Sequence, residues 1–406
     1  MRYTHCFTVS FVIAALVLLT VPKAGYSAEP DRSLSHLLEN PAFFPLGVSL
    51  QAPDKASAYK EIGINLYVGL WKGPTSDQLA RLKAANMPVF SAQNEVGLTD
   101  PNNDMIIGWA QKGEPDNGQW VDGALRAGPP ILPAEMWARY EKMRAADPTR
   151  PVLLNLGQGV ALDHWHGRGP RTNHPEDYED YVKAADIVSF DIYPVTHRDL
   201  AVRGRLDLVA KGVDRLIKWT DGGKPVWAVI GASRIDNPDI IPTKEEVRNQ
   251  VWLAIIHGAK GIIYFVHQFR PTFIEAALLQ HGDLRDAVKA INHRITSLAV
   301  ILNSESLKDA VSTTNATPRG SGERFTSIAS LVKRDKCHLY IFAGSRSKLP
   351  GAALFHVKQP DLHPNVVVLD ENRSIKTVEG RFRDNFGAYE THLYQLSYNM
   401  PDCPEK

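Results

Sequence analysis

From residue 41 onward the chain alternates short runs rich in apolar and β-branched residues with longer amphipathic segments, which is the pattern of repeated β-α units on a parallel sheet. Eight such runs stand out, at 44–50, 64–70, 88–92, 105–109, 152–156, 187–192, 226–230 and 261–266. Several are apolar nearly throughout, which predicts strands buried on both faces between a packed interior and a helical shell. The helices between them have readable starts. Thr75 with Gln78, and Thr243 with Glu246, each form a Ser/Thr-x-x-Glu/Gln capping box. Pro133 opens a helix over 134–146, and 206–219 and 284–302 read as amphipathic. The stretch 96–104 holds Pro101 and two asparagines and is too short for a full crossover helix, so the third unit is predicted to be abbreviated. After Asn303 the pattern changes. Turns rich in Ser, Thr and Gly separate strand-like runs at 326–332, 338–343, 353–356, 366–369 and 392–396, which predicts an antiparallel sandwich. The fold class is therefore α/β, a (β/α)8 TIM barrel over 35–303 followed by a small all-β sandwich over 304–400.

The N-terminus precedes this pattern. Arg2, an apolar run over 7–21, Lys23 and the small residues around Ala28 have the layout of a secretory signal peptide over 1–28, which predicts a secreted or periplasmic protein with no membrane anchor after cleavage. Cys337 and Cys403 then remain, either as a disulfide pinning the tail or as two buried thiols. Among the 406 residues, 44 % are hydrophobic and 22 % charged, an ordinary globular composition. A formal net charge of +1 gives no electrostatic reason to expect nucleic acid as a partner.

In a parallel barrel the reacting groups come from the C-terminal strand ends, where the βα loops converge. The polar residues there include Gln51, Glu95, Glu114, Asp191, Tyr193, His267 and Gln268. This rim is rich in carboxylates, amides and aromatics and has no basic cluster for phosphate, which suits a carbohydrate. Four of the eight tryptophans, Trp71, Trp109, Trp120 and Trp165, fall at or after strand ends, where their faces could stack on pyranose rings. No Gly-x-Ser-x-Gly elbow, dinucleotide motif or Walker motif occurs. The histidines of His164-Trp165-His166 lie in a Gly/Pro-rich loop and read as surface residues. Neither a cofactor nor a metal is expected.

Gly113-Glu114-Pro115-Asp116-Asn117 after the fourth strand resembles the acid/base motif of the clan of retaining (β/α)8 glycoside hydrolases that includes β-galactosidases and cellulases. Phe190-Asp191-Ile192-Tyr193-Pro194 and Tyr264-Phe265-Val266-His267-Gln268-Phe269 are similar to the sixth and eighth strands of exported barrel proteins assigned to that clan. The resemblance implies hydrolysis of O-glycosidic bonds in a poly- or oligosaccharide, with Glu114 as acid/base. Such an enzyme needs a second carboxylate about 5 Å away to form the glycosyl-enzyme intermediate. Two positions depart from the pattern. Gly113 stands where many members have Asn, and Gly231 stands where the resemblance places the strand-seven nucleophile. The alternatives are an inverting hydrolase using Asp191, Glu95 or Glu275, or a barrel that binds sugar without cleaving it.

Overall fold

Eight parallel strands close a barrel in chain order: β1 (Leu46–Ser49), β2 (Leu66–Val68), β3 (Val89–Ser91), β4 (Ile106–Ala110), β5 (Val152–Leu156), β6 (Ile187–Asp191), β7 (Val226–Gly231) and β8 (Gly261–Phe265), which pairs back onto β1. Each predicted run carries one of them. The computed structural model describes residues 34–120, 127–316 and 327–403. The expected signal segment lies outside these residues. No helix among the described residues is long and apolar enough to cross a membrane.

Local chemistry sets the elements. Both capping boxes form: Thr75 Oγ1 accepts from the Gln78 N–H while Gln78 Oε1 accepts from the Thr75 N–H, and Thr243 and Glu246 do the same for the helix Lys244–Ile256. The abbreviated third unit holds only the short helix Glu95–Thr99 and a 3-10 turn at Asn103–Met105. Inside the barrel the Phe90 and Trp227 rings meet edge to face at 5.2 Å. Glycine makes room for them: a Cβ on Gly108 would lie 2.0 Å from Phe90 Cε1. Burying each such ring stabilises the fold by about 1.5–3 kcal/mol.

One irregularity matters for the site. The β3–β4 pairing matches Val89 to Ile106 but Phe90 to Gly108, so an extra residue, Ile107, is inserted in β4. A bulge reverses the in/out alternation beyond it. Ile107 belongs to the interior cluster, yet Trp109 turns outward into the helical layer.

The β region has eight strands among the described residues. A five-stranded antiparallel sheet runs β10 (Ile328–Arg334), β11 (His338–Ser345), β16 (Thr391–Tyr398), β13 (Leu362–Val368) and β14 (Arg373–Lys376). Facing it is a three-stranded sheet of β15 (Arg381–Phe386), β12 (Gly351–Val357) and β9 (Val311–Ala316). Phe355, Phe382 and Tyr394 pack in the core between the sheets. Cys337 and Cys403 form a disulfide, so the bonded alternative holds.

The β region shares a core with the barrel. Tyr340, Phe342 and Leu393 belong to the barrel's outer hydrophobic cluster, and Trp252 on the helix Lys244–Ile256 stacks on Phe342 at 5.7 Å. From the same helix the buried Asn249 Nδ2 donates to the carbonyls of Ser345 and Tyr389, at 2.8 and 2.9 Å. Nearly every residue from Val247 to Ile256 is buried, because barrel and sheet cover the helix from opposite sides. Barrel and β region thus belong to a single compact unit.

Candidate active site

Glu114 sits four residues beyond β4, and the chain hooks back to bring it over the barrel mouth. Its N–H donates to the Asn155 carbonyl on β5 at 2.7 Å, and its φ is +49°, a left-handed backbone that a glutamate seldom adopts. Strain of this kind is held where the surroundings over-determine it, commonly at functional sites. Asn117 Nδ2 donates to Glu114 Oε2 at 2.5 Å, and Asn117 Oδ1 accepts from the Trp165 indole N–H at 2.9 Å. Asp116, fully buried, accepts from the Gly157 N–H (2.8 Å) and the Tyr178 hydroxyl (2.7 Å), so it fastens the loop to the β5 side of the rim.

Asp191 ends β6, buried, and its carboxyl lies near enough to that of Glu114 for each to act on the other's ionisation. Its Oδ2 accepts from the Tyr193 hydroxyl at 2.7 Å. Two buried carboxyl groups this near resist being ionised together. Burial pushes both above the usual carboxylate range. The neighbouring Asp116 charge adds to the rise at Glu114, and the Glu114 charge adds to it at Asp191. Asp191, the more deeply enclosed, favours the neutral form.

At the end of β7, Gly231 does not leave a hole. A Cβ built there would lie 2.7 Å from Ile235 Cδ1 and 2.9 Å from Tyr193 Cδ1. The space that a strand-seven carboxylate would occupy is filled by Tyr193 and Ile235, and Tyr193 also packs on Phe265 at 5.4 Å.

The loop after β7 supplies a group that inspection of strand ends passes over. Asp236 is half-buried and its carboxylate has no hydrogen-bond partner among the described residues. Burial raises its pKa, and its charge acts on Glu114, Tyr193 and His197. His197 is buried and held neutral by that burial: its Nδ1 accepts from the Asp199 N–H, and its Nε2 faces Gln158 Oε1 at 2.9 Å. The Trp165 ring meets the His197 ring edge-on at 5.9 Å. Glu114, Asn117, Trp165 and His197 thus form a connected run from β4 to the β6 loop, with Asp236 beside it. An acid within a few residues of β7 was the available signal for Asp236.

The remaining predicted residues divide. Gln51 and His267 lie together at the β1 and β8 ends in one network: Gln51 Oε1 accepts from Tyr59 OH (2.6 Å), and Gln51 Nε2 lies 3.2 Å from His267 Nε2. Glu275 is held there too, its Oε1 accepting from the Ala52 N–H at 2.6 Å. Gln268 accepts from Arg234 and reaches the Thr272 carbonyl. Glu95 is exposed in the first turn of its helix, away from the pair. Trp71 and Trp120 stand in solvent on the rim, at 72 % and 79 % exposure. Trp109 does not reach the site: its indole N–H donates to Asp147 at 3.0 Å and Arg150 covers its ring. The bulge that turned it outward is the physical reason.

No protein-family model and no curated protein matches the sequence. Solved structures do match the fold. A variant of AmyP in complex with maltotriose superposes with a TM-score of 0.51 at 8 % identity, covering 93 % of this chain and 100 % of that one. A catalytic mutant of Gan42B, a GH42 β-galactosidase from G. stearothermophilus, superposes with a TM-score of 0.52 at 9 % identity, covering 88 % of this chain and 98 % of that one. The fold is one that glycoside hydrolases use. At such identities the likeness speaks for the architecture, barrel and β region together, and leaves the chemistry to the residues themselves.

Proposed function

We propose that this is an exported glycoside hydrolase that cleaves O-glycosidic bonds of a poly- or oligosaccharide, with Glu114 as proton donor. The observation that carries the reading is the Glu114–Asp191 pair, two buried carboxyls that raise each other's pKa at the mouth of a barrel of the kind glycoside hydrolases use. We read the two carboxyls as one acid couple, and not as the pair that flanks the scissile bond, which stands about 5 Å apart in a retaining enzyme and about 6.5–9.5 Å in an inverting one. Asp191 therefore serves Glu114: its proton passes to Glu114, which delivers it to the leaving oxygen. With the strand-seven position filled, Asp236 is the second carboxylate. It takes a proton from water as the water oxygen bonds to the anomeric carbon and the glycosidic C–O bond breaks, which is an inverting hydrolysis. Export is supported by the signal-like leader and by the Cys337–Cys403 disulfide, a bond that persists in oxidising compartments.

A second reading is favoured by Tyr193 and Ile235 closing over Gly231: a barrel that binds sugar without turnover. Aryl glycosides with good and poor leaving groups separate the two when offered to the parent, Glu114→Gln and Asp236→Asn. The hydrolase reading expects Glu114→Gln to fail on poor leaving groups and recover on activated ones, Asp236→Asn to fail on both, and the first-formed sugar to have the inverted anomeric configuration by NMR. Retention of configuration, or full activity in Asp236→Asn, would remove Asp236 from the mechanism. Sugar binding with no hydrolysis of any substrate leaves the binding barrel.

A further inference from the structure

The loop that leaves β6, residues 192–206, ends at a groove of about 580 Å³ where the barrel meets the β region. Gly204, Ala210 and Tyr389 line it between the two, and the Tyr389 hydroxyl donates to the Gly204 carbonyl at 2.6 Å. Basic side chains reach it from three segments. Arg203 and Arg205 come from the loop, Lys211 from the helix Asp207–Trp219, and Arg346 and Lys348 from the turn between β11 and β12.

The acids in the groove are already engaged. Arg205 makes a two-bond pair with Asp207, at 2.8 and 2.7 Å, and Asp214 Oδ1 lies 2.8 Å from His257 Nδ1. The other cations keep their charge. Arg203 donates to the carbonyls of His197 and Arg198, which orients its guanidinium without neutralising it. Arg346 is fastened to the Ser327 hydroxyl. Lys211 and Lys348 have no carboxylate partner among the described residues. In a chain of formal net charge +1, this is a local excess of positive charge on a partly pre-oriented frame.

From this groove we infer that the protein has a second, non-catalytic binding site that takes a segment of an acidic glycan, one bearing uronate carboxylates or sulfates. The volume falls in the range of about 300–1,000 Å³ typical of small-ligand clefts, enough for a short oligosaccharide. Oriented guanidinium and ammonium donors suit anionic oxygens. Single-stranded nucleic acid would call for stacking faces as well, and among the described residues Tyr389 is the one aromatic ring lining the groove, its hydroxyl already tied down.

The site is separate from Glu114 and Asp191, so its occupancy is measured without reference to turnover. Fluorescently labelled polygalacturonate and heparin oligosaccharides, with neutral dextran and single-stranded DNA as comparators, are titrated into the full-length protein at low and high salt. The expected result is salt-sensitive binding of an acidic glycan, absent for dextran. Lys211→Glu/Arg346→Glu/Lys348→Glu should weaken it by about tenfold or more, while reversal of the distant exposed Lys142, Lys289 and Lys376 leaves it unchanged. Binding of polygalacturonate shows that carboxylates suffice, and binding of heparin alone, which carries both carboxylates and sulfates, shows that sulfate is required. No binding of either, equal loss in the distant variant, or equally tight DNA binding through the same three residues would overturn the inference.

Discussion

The two halves of the barrel rim carry similar residues and use them in opposite ways. At the β1–β8 side, Gln51, Tyr59, His267 and Glu275 spend their hydrogen-bonding capacity largely on one another and on nearby backbone, and burial keeps the imidazole neutral. At the β4–β6 side, Glu114 and Asp191 raise each other's pKa, the Glu114 backbone is held left-handed, and the Asp236 carboxylate has no hydrogen-bond partner among the described residues. A network whose donors and acceptors cancel fixes a fold. A network left with surplus charge and raised pKa values can act on something else.

The sharpest break of this comparison is the loss of the donor. Glu114→Gln should lower kcat on an unactivated glycoside about 10²–10⁴-fold, roughly 3–5 kcal/mol of barrier, with an unchanged melting temperature. Gln51→Ala should do the reverse. It leaves the buried Tyr59 hydroxyl unpaired and costs roughly 1–3 kcal/mol in denaturant unfolding, with kcat of the folded protein kept. Equal effects of both variants on both readouts would erase the distinction between the two sides.

The positions differ in how far they can be read from sequence alone. The barrel strands and both capping boxes are legible because apolar runs and cap residues act locally. Strands β9, β14 and β15 escape notice because they are polar: Arg381–Phe386 alternates exposed Arg381, Arg383 and Asn385 with buried Phe382, Asp384 and Phe386. Glu114 stands out in its motif and Asp191 at its strand end, but their nearness depends on a hooked loop. Trp109 falls at its strand end in the sequence, but a single inserted residue in β4 turns it outward, away from the barrel mouth. Gly231 reads as a vacancy because the ring that fills it comes from another strand.

That filling gives a smaller test. Gly231→Ala puts a Cβ against Tyr193 and Ile235 and should cost roughly 1–3 kcal/mol, measured by chemical denaturation. A neutral result would mean that the position is open and would revive a strand-seven carboxylate.

The smallest expected effect concerns pH. Because the folded pKa of Asp191 is raised, the native chain keeps a proton that the unfolded chain releases. Stability from this group is therefore present at low pH and is lost as pH rises from the ordinary carboxylate range through the raised value. Asn at 191 can still accept from Tyr193, and it does not titrate. Asp191→Asn should thus gain on the parent between pH 5 and pH 8, by about a degree or two in melting temperature. An identical pH dependence in the two proteins would show that Asp191 is ionised in the native state.

The helix Lys244–Ile256 has a consequence for how the chain assembles. Its outer side is covered by β11 and β16, and β16 lies in the middle of its sheet while standing last among the strands in sequence. During synthesis the barrel segments emerge first, with Trp252, Leu253 and Ile256 lacking their cover until β11 brings Phe342 and Gly344, and β11 lacks its central sheet partner until β16 follows. The late strand is thus a closing step for the barrel as well as for its own sheet. Until it docks, the nascent chain exposes an apolar stripe of the kind that chaperones hold and aggregation exploits.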